Sequence, residues 1–107
     1  MKRILCATAL GSIFACANAG DFEGKIADVF VHNFNDAVVF SLTTANPNFH
    51  NCAVSQRYGF STVTQSGRNL LSAVLSAKAA QKTIYVAGWN KCEFHGDAED
   101  VMWLSVR

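Results

Sequence analysis

The sequence predicts a mainly β protein of five strands and one helix, and three observations lead to that prediction. Apolar and polar residues alternate in several short segments, as they do in strands buried on one face. One segment, residues 66–81, changes to the spacing of an amphipathic helix. Turn-forming residues separate these segments, and the one proline of the chain lies between two of them.

The first nineteen residues have the organisation of a secretory signal peptide. A Lys-Arg pair follows the initial methionine, an apolar run covers residues 4–14, and Ala17-Asn18-Ala19 forms the small-x-small exit that signal peptidase reads. The run is shorter than the about 20 residues that a membrane span needs. We therefore expect cleavage after Ala19, a single domain over residues 20–107, and a periplasmic or secreted protein.

A second processing route competes with this cleavage, because residues 13–16 loosely resemble a bacterial lipobox in which Cys16 would be lipidated. The exit at Ala19 is the better match. Cleavage there leaves 88 residues with seven basic and eight acidic side chains, a net charge of −1. That balance argues against a nucleic-acid partner, which usually requires a strong basic excess. No later segment is apolar and long enough to predict a stable membrane span.

The first two predicted strands form a hairpin. Residues 25–32 are rich in β-branched and aromatic side chains, and residues 37–43 place Val38 and Phe40 on one face. The segment between them, residues 33–36, has three turn formers in four positions.

A third strand is predicted from Cys52 to about Val63, after a loop over residues 44–51. Val54, Tyr58 and Phe60 alternate there with polar residues or glycine, which is the period of a half-buried strand.

The helix is predicted over residues 66–81. Its apolar side chains recur every three or four residues, so that Leu70 and Val74, for example, share one face. Ser66 is the expected N-cap, because a serine hydroxyl accepts a hydrogen bond from the first helical turn.

Two more strands follow, over residues 83–89 and 100–107, with a polar loop at 90–99 between them. The order β-β-β-α-β-β lacks the helix between most strands that a doubly wound α/β fold needs. It fits an OB-fold-like, five-stranded Greek-key barrel with its helix between strands three and four. The alternative is an open α+β sheet with the helix on one face.

Cys52 and Cys92 are the cysteines that remain after cleavage. In an exported chain they most simply form a disulfide, with free thiols or a metal pair as the alternatives. The third strand of an OB barrel lies parallel to the fifth. Cys52 starts the predicted third strand and Cys92 lies just before the fifth, so we expect the two cysteines to be neighbours.

Catalytic motifs are absent from this sequence. His32, His50 and His95 lack the spacing of zinc ligands, and no serine-nucleophile or phosphate-binding motif occurs. We predict a protein that is not an enzyme and that has no cofactor and no metal. An enzyme that uses these histidines with Asp97 is kept as an alternative.

Carboxylates crowd the predicted last loop, at Glu93, Asp97, Glu99 and Asp100. A calcium site would use such oxygens, but the spacing is not that of an EF-hand loop. A solvated acidic loop is therefore the expectation.

The candidate ligand site is Trp89-Asn90-Lys91. An indole face stacks on the C–H face of a pyranose, and Asn90 and Lys91 offer hydrogen bonds to its hydroxyl groups. OB-folds bind oligosaccharides through the loops after strands one and four. A packing role for Trp89 is the alternative, since large aromatic side chains are usually buried in small domains.

At these residues the chain resembles the B subunits of AB5 bacterial toxins. TIYVAGWNKC and the final strand VMWLSVR are similar to the cholera-type B subunit, and the start CAVS of strand three is similar to the subtilase and typhoid toxin B subunits. The resemblance covers roughly residues 52–107. It implies a secreted pentamer that binds a cell-surface glycan, with Trp89 as a galactose platform and Asn90 and Lys91 as its polar partners.

The chain also departs from that family. The cholera pattern has one more residue between the tryptophan and the lysine, its disulfide starts near the N-terminus, and nothing here matches its N-terminal helix. The alternative function is a small periplasmic interaction or inhibitor protein that has a protein partner and no sugar ligand.

Overall fold

The structure is a computed structural model that describes residues 20–107, so the predicted signal peptide and the alternative lipidation site lie outside the described residues. Within residues 20–107, no helix is both long enough and apolar enough to cross a bilayer. The mainly β class and the predicted order of elements are confirmed. The elements are β1 Phe22–Val31, β2 Ala37–Leu42, β3 Tyr58–Ser61, α1 Gln65–Ala80, β4 Thr83–Gly88 and β5 Glu99–Val106.

The five strands form one sheet whose hydrogen-bonded order closes into a ring. The order is β1-β2-β3-β5-β4, and β4 pairs back to β1. Every pair is antiparallel except β3 with β5, where Tyr58 lies opposite Glu99 and Gly59 opposite Asp100. The parallel contact that was expected between the third and fifth strands is therefore present. Each strand has a neighbour on both sides, which protects its backbone groups from pairing with other chains.

The hydrophobic core lies between this sheet and one face of α1. Phe40 packs between two other aromatic rings, 5.6 Å from Tyr58 and 6.3 Å from Phe60 between ring centroids. Val74 and Ala77 are the buried apolar residues that α1 contributes. Burial of these side chains supplies the main driving force for folding. The other buried core residues are Ile26, Val38, Ile84, Val86 and Val101.

The start of α1 differs from the prediction. Thr64, which has extended backbone angles, is the N-cap, and its Oγ1 accepts a hydrogen bond of 3.1 Å from the N–H of Gly67. The prediction that Ser66 caps the helix was wrong, because Ser66 already lies in the first turn. At Gly67 an added Cβ would overlap the carbonyl of Ser61, which shows that the first turn of the helix contacts the end of β3 directly.

The third strand is shorter than predicted, and Cys52 does not open it. Residues 52–57 form turns, with hydrogen bonds of 2.9 Å from the Ala53 N–H to the His50 carbonyl and from the Gln56 N–H to the Ala53 carbonyl. Gln56 has a left-handed φ of 57°. These turns use backbone groups that a strand would pair with a neighbour. As a result Val54 is 77% exposed instead of half-buried.

The predicted disulfide between Cys52 and Cys92 is confirmed. Its Cα atoms lie 6.0 Å apart, and it joins the turns before β3 to the connection between β4 and β5. The two cysteines are 40 positions apart. The chain-entropy model gives a loop of that length about 4 kcal/mol of stabilisation, which is substantial for a domain with so small a core.

Candidate functional site

Trp89 follows β4 directly and lies at the surface, 49% exposed. Its backbone N–H donates a hydrogen bond of 2.9 Å to the carbonyl of Asp100, which fixes this corner of the chain to β5. A residue that served only to fill the core would be buried. The side chain is therefore available to a ligand.

A groove with a volume of about 380 Å³ lies beside Trp89, between the start of α1 and β5. Apolar side chains form one part of its lining and hydroxyl groups form another. Sites of this kind, with an aromatic wall and a few polar groups, are typical of small-ligand binding. Besides Trp89, the apolar lining includes Val63, Leu70, Phe94 and Met102, and the hydroxyl groups are those of Ser61, Thr64 and Ser66.

A second depression, of about 350 Å³, adjoins the groove and shares Ser66, Leu70 and Met102 with it. Trp103, which is 48% exposed, lines this depression, and its ring stacks on Tyr85 at 5.6 Å between centroids. Both tryptophans of the chain thus border the surface where α1 meets β5.

The structure does not bring Asn90 and Lys91 into the groove. The ammonium of Lys91 lies 5.5 Å from the centroid of the Trp89 ring and 3.4 Å from Oε1 of Glu93. Asn90 has a left-handed φ of 64°, and its buried Oδ1 accepts no hydrogen bond from the described residues. Of the three residues predicted to bind a ligand, Trp89 alone lines the groove. Lys91 instead supports its ring by a cation–π contact.

Glu99 is fully buried beneath this corner. Its carboxylate accepts hydrogen bonds from two backbone N–H groups, that of His50 at 2.9 Å and that of Asn90 at 3.0 Å. Burial raises the pKa of Glu99, although both hydrogen bonds act to lower it. The residue links the loop before Cys52 to the turn after Trp89.

Asp100 is also fully buried, and one of its oxygens organises the segment after Cys92. Oδ1 accepts hydrogen bonds from the N–H groups of Glu93 at 2.8 Å and Phe94 at 3.1 Å, while Oδ2 has no partner in the described residues. Burial raises the pKa of this carboxyl. Asp100 thereby fixes the backbone that carries Phe94 into the groove.

These two residues correct the prediction of a solvated acidic loop. Glu93 and Asp97 keep partly exposed side chains, but Glu99 and Asp100 are buried acceptors for backbone N–H groups. The local sequence shows only four acidic residues at short spacing. It does not show that the first two residues of β5 turn their carboxylates inwards.

Two of the histidines meet where the β1–β2 turn approaches the β4–β5 connection. The rings of His32 and His95 lie 4.9 Å apart, and Nδ1 of His95 lies 2.7 Å from Oδ1 of Asp97. Arg57 contacts the same oxygen at 3.5 Å. Burial acts to raise the pKa of Asp97, but the hydrogen bond and charge of His95 and the charge of Arg57 outweigh it, and the pKa is lowered.

His50 does not join that pair. Its Nδ1 lies 3.3 Å from Sγ of Cys52, on the turn before β3. Within residues 20–107, no group of three His, Cys, Asp or Glu side chains is arranged to hold a metal ion.

Comparison of the chain with the models of known protein families, with curated proteins and with solved structures finds no match. The likeness to AB5 toxin B subunits therefore rests on the short segments around Cys52 and Trp89 and stays a prediction.

The other walls of the groove were missed from the sequence. Met102 lies beside Trp89 because β4 pairs with β5, and Thr64 and Leu70 join them because the start of α1 packs beside β5. One local signal pointed to Phe94, which is an aromatic residue two positions after the cysteine that fixes this loop.

Proposed function

We propose that this chain is an exported, non-enzymatic binding module, and that it binds a glycan in the groove beside Trp89. One observation supports this function. The half-exposed indole of Trp89 lies at the edge of a groove that also contains hydroxyl groups. A pyranose presents a C–H face that stacks on an aromatic ring and hydroxyl groups that exchange hydrogen bonds with serine and threonine. The groove offers both kinds of partner within one site.

The fold assignment that we propose is an OB-type Greek-key barrel. The ring of strand pairs and the position of α1 between the third and fourth strands support it. The loops after β1 and β4, through which OB-folds bind oligosaccharides, approach each other at His32 and His95. The groove opens beside the second of these loops.

Export is supported by the signal-peptide pattern and by the disulfide, which persists in oxidising compartments. We place the mature protein in the periplasm or outside the cell. The AB5-like segments extend the proposal to a toxin-type B subunit, which would bind a cell-surface glycan as a homopentamer.

A pair of matched variants tests the glycan site. Trp89→Ala removes the exposed indole at the groove, and Phe34→Ala removes an exposed aromatic ring on the β1–β2 turn that does not line the groove. We expect Trp89→Ala to weaken binding on a glycan array by about tenfold or more, because stacking of about 1.5 kcal/mol is lost. Phe34→Ala should bind as the wild type does.

Both variants should unfold cooperatively near the wild-type temperature, since both side chains are exposed. Folded wild-type protein that gives a blank array would contradict the proposal. Equal loss of binding in the two variants would contradict the location of the site.

A protein-interaction function is the second candidate, and exposed apolar side chains around the β1–β2 turn favour it. Val31 is 66% exposed and Phe34 is 77% exposed. Such residues are common at sites where another protein docks. A single-subunit mass in solution, together with a blank glycan array, would favour this function over the pentameric glycan binder.

A further inference from the structure

Glu99 holds a carboxylate that forms no salt bridge within residues 20–107, and the one positive charge that acts to lower its pKa is that of the His50 imidazole. Its hydrogen bonds come from two backbone amides, which are neutral, and a second carboxyl, that of Asp21, is buried close enough to raise its pKa further. Burying a charge that no close ion pair offsets is costly, even when hydrogen bonds remain. The fold therefore contains a site suited to one positive charge.

Gly20 lies directly against this carboxylate. The residue is buried and has a φ of 89°, and a Cβ added to it would overlap the carboxyl group of Glu99. Its carbonyl accepts a hydrogen bond from the hydroxyl of Tyr58, which holds the backbone in place. The nitrogen of Gly20 is one bond away from the Cα that touches Glu99.

Gly20 is also the residue that signal peptidase would leave at the start of the chain. Hydrolysis of the bond between Ala19 and Gly20 adds one water. The new carboxylate departs with Ala19, and the amide nitrogen of Gly20 becomes an amine that takes up a proton. A neutral amide beside Glu99 is thus replaced by an ammonium group.

We propose that this ammonium pairs with the buried carboxylate of Glu99, so that removal of the signal peptide completes the fold. The proposal rests on the predicted cleavage after Ala19 and is independent of glycan binding. Before cleavage the buried charge opposes folding. After cleavage it is compensated, and the mature chain is more stable than a chain that keeps residues ahead of Gly20.

Four proteins test the proposal. Two are the mature chain that starts at Gly20 and the same chain with Asn18 and Ala19 retained, and the other two carry Glu99→Gln in each of these backgrounds. In the mature chain we expect Glu99→Gln to lower the Tm by about 10 °C, because it breaks a buried ion pair. In the extended chain the same substitution should leave the Tm unchanged or raise it, because it removes an uncompensated charge.

Glu93→Gln is the matched control, since Glu93 is an exposed residue that pairs with Lys91 at the surface. Its effect on the Tm should be the same in the mature and extended chains. Equal effects of Glu99→Gln in the two backgrounds would overturn the proposal, as would an intact mass showing that the exported protein starts at another residue.

A labelling experiment on the wild type does not depend on whether the variants fold. An α-amino group has a pKa of about 8, so it normally reacts with an activated ester faster than lysine side chains do. We expect the Gly20 amine of the folded mature protein to acetylate at least about tenfold more slowly than in urea, because it is charged and buried. Equal rates in the two conditions would overturn the proposal.

Discussion

At the scale of single residues, the neighbours of Trp89 at the end of β4 fix the position of its side chain and of the adjoining backbone. Lys91 lies over the indole, and Glu99 and Asp100 bind the backbone on either side of the disulfide. A buried carboxylate is tolerated when N–H groups satisfy it. The buried charge of each of these two acids lowers the stability of the domain, while its hydrogen bonds hold the backbone at the groove in place.

The pH dependence of the stability of Asp100→Asn tests whether the buried charge of Asp100 opposes folding. The folded-state pKa of Asp100 is raised above 3.8, so the folded chain binds a proton more readily than the unfolded chain. Its charge therefore opposes folding at neutral pH, and this opposition is relieved as the pH falls through the folded-state pKa. We expect the stability of the wild type to improve relative to Asp100→Asn as the pH falls from 7 through the raised pKa of Asp100 towards its ordinary value of 3.8.

Urea unfolding at several pH values measures the difference. The asparagine oxygen can keep both hydrogen bonds that Oδ1 accepts, because Oδ2 has none to lose. A wild type whose stability relative to Asp100→Asn stays constant, or decreases, as the pH falls would contradict the buried charge of Asp100.

At the scale of elements, the start of α1 connects the fold to the groove. Thr64 caps the helix and also lines the groove, and Gly67 holds the first turn against the end of β3. The groove is therefore formed by the same residues that fix where the helix begins.

Thr64→Ala and Ser66→Ala compare the observed N-cap with the one predicted from the sequence. Loss of the Thr64 hydroxyl leaves a first-turn N–H without its side-chain acceptor, so we expect a loss of about 1 kcal/mol in the free energy of unfolding. Ser66→Ala should change it by less than about 0.5 kcal/mol, since the side chain is exposed. Thermal or urea unfolding measures both. A larger effect from Ser66→Ala would contradict the cap assignment.

The elements also show what local patterns could predict. The order of elements could be predicted from the helix spacing of residues 66–81, the β-branched and aromatic content of strand one, the apolar face of strand two, and the polar loop between strands four and five. The third strand was overestimated because alternation in residues 52–57 resembles a strand, whereas turns and the disulfide use that backbone. The cap was misplaced by two residues because both threonine and serine are good caps, and packing against Ser61 decided between them.

At the scale of the whole molecule, a closed ring of strands and one disulfide hold together a small domain. The parallel contact of β3 with β5 could be predicted from the assumed barrel and the two cysteines, because each places the start of β3 beside the start of β5. The groove could not be predicted, because its walls come from β3, α1, the β4–β5 connection and β5. Of the three predicted ligand residues, Trp89, Asn90 and Lys91, only Trp89 lines the groove.

The glycan proposal is tested most directly by an NMR titration of the two indole N–H groups. The chain contains only Trp89 and Trp103, so the indole region of a ¹⁵N spectrum should hold two signals, which the Trp89→Ala variant assigns. The probe is the glycan that gives the strongest array signal. We expect the Trp89 signal to shift and saturate as this glycan is added, with a smaller change at Trp103. A Trp89 signal that does not move at saturating glycan, or an array on which nothing binds, would contradict a glycan site at this groove.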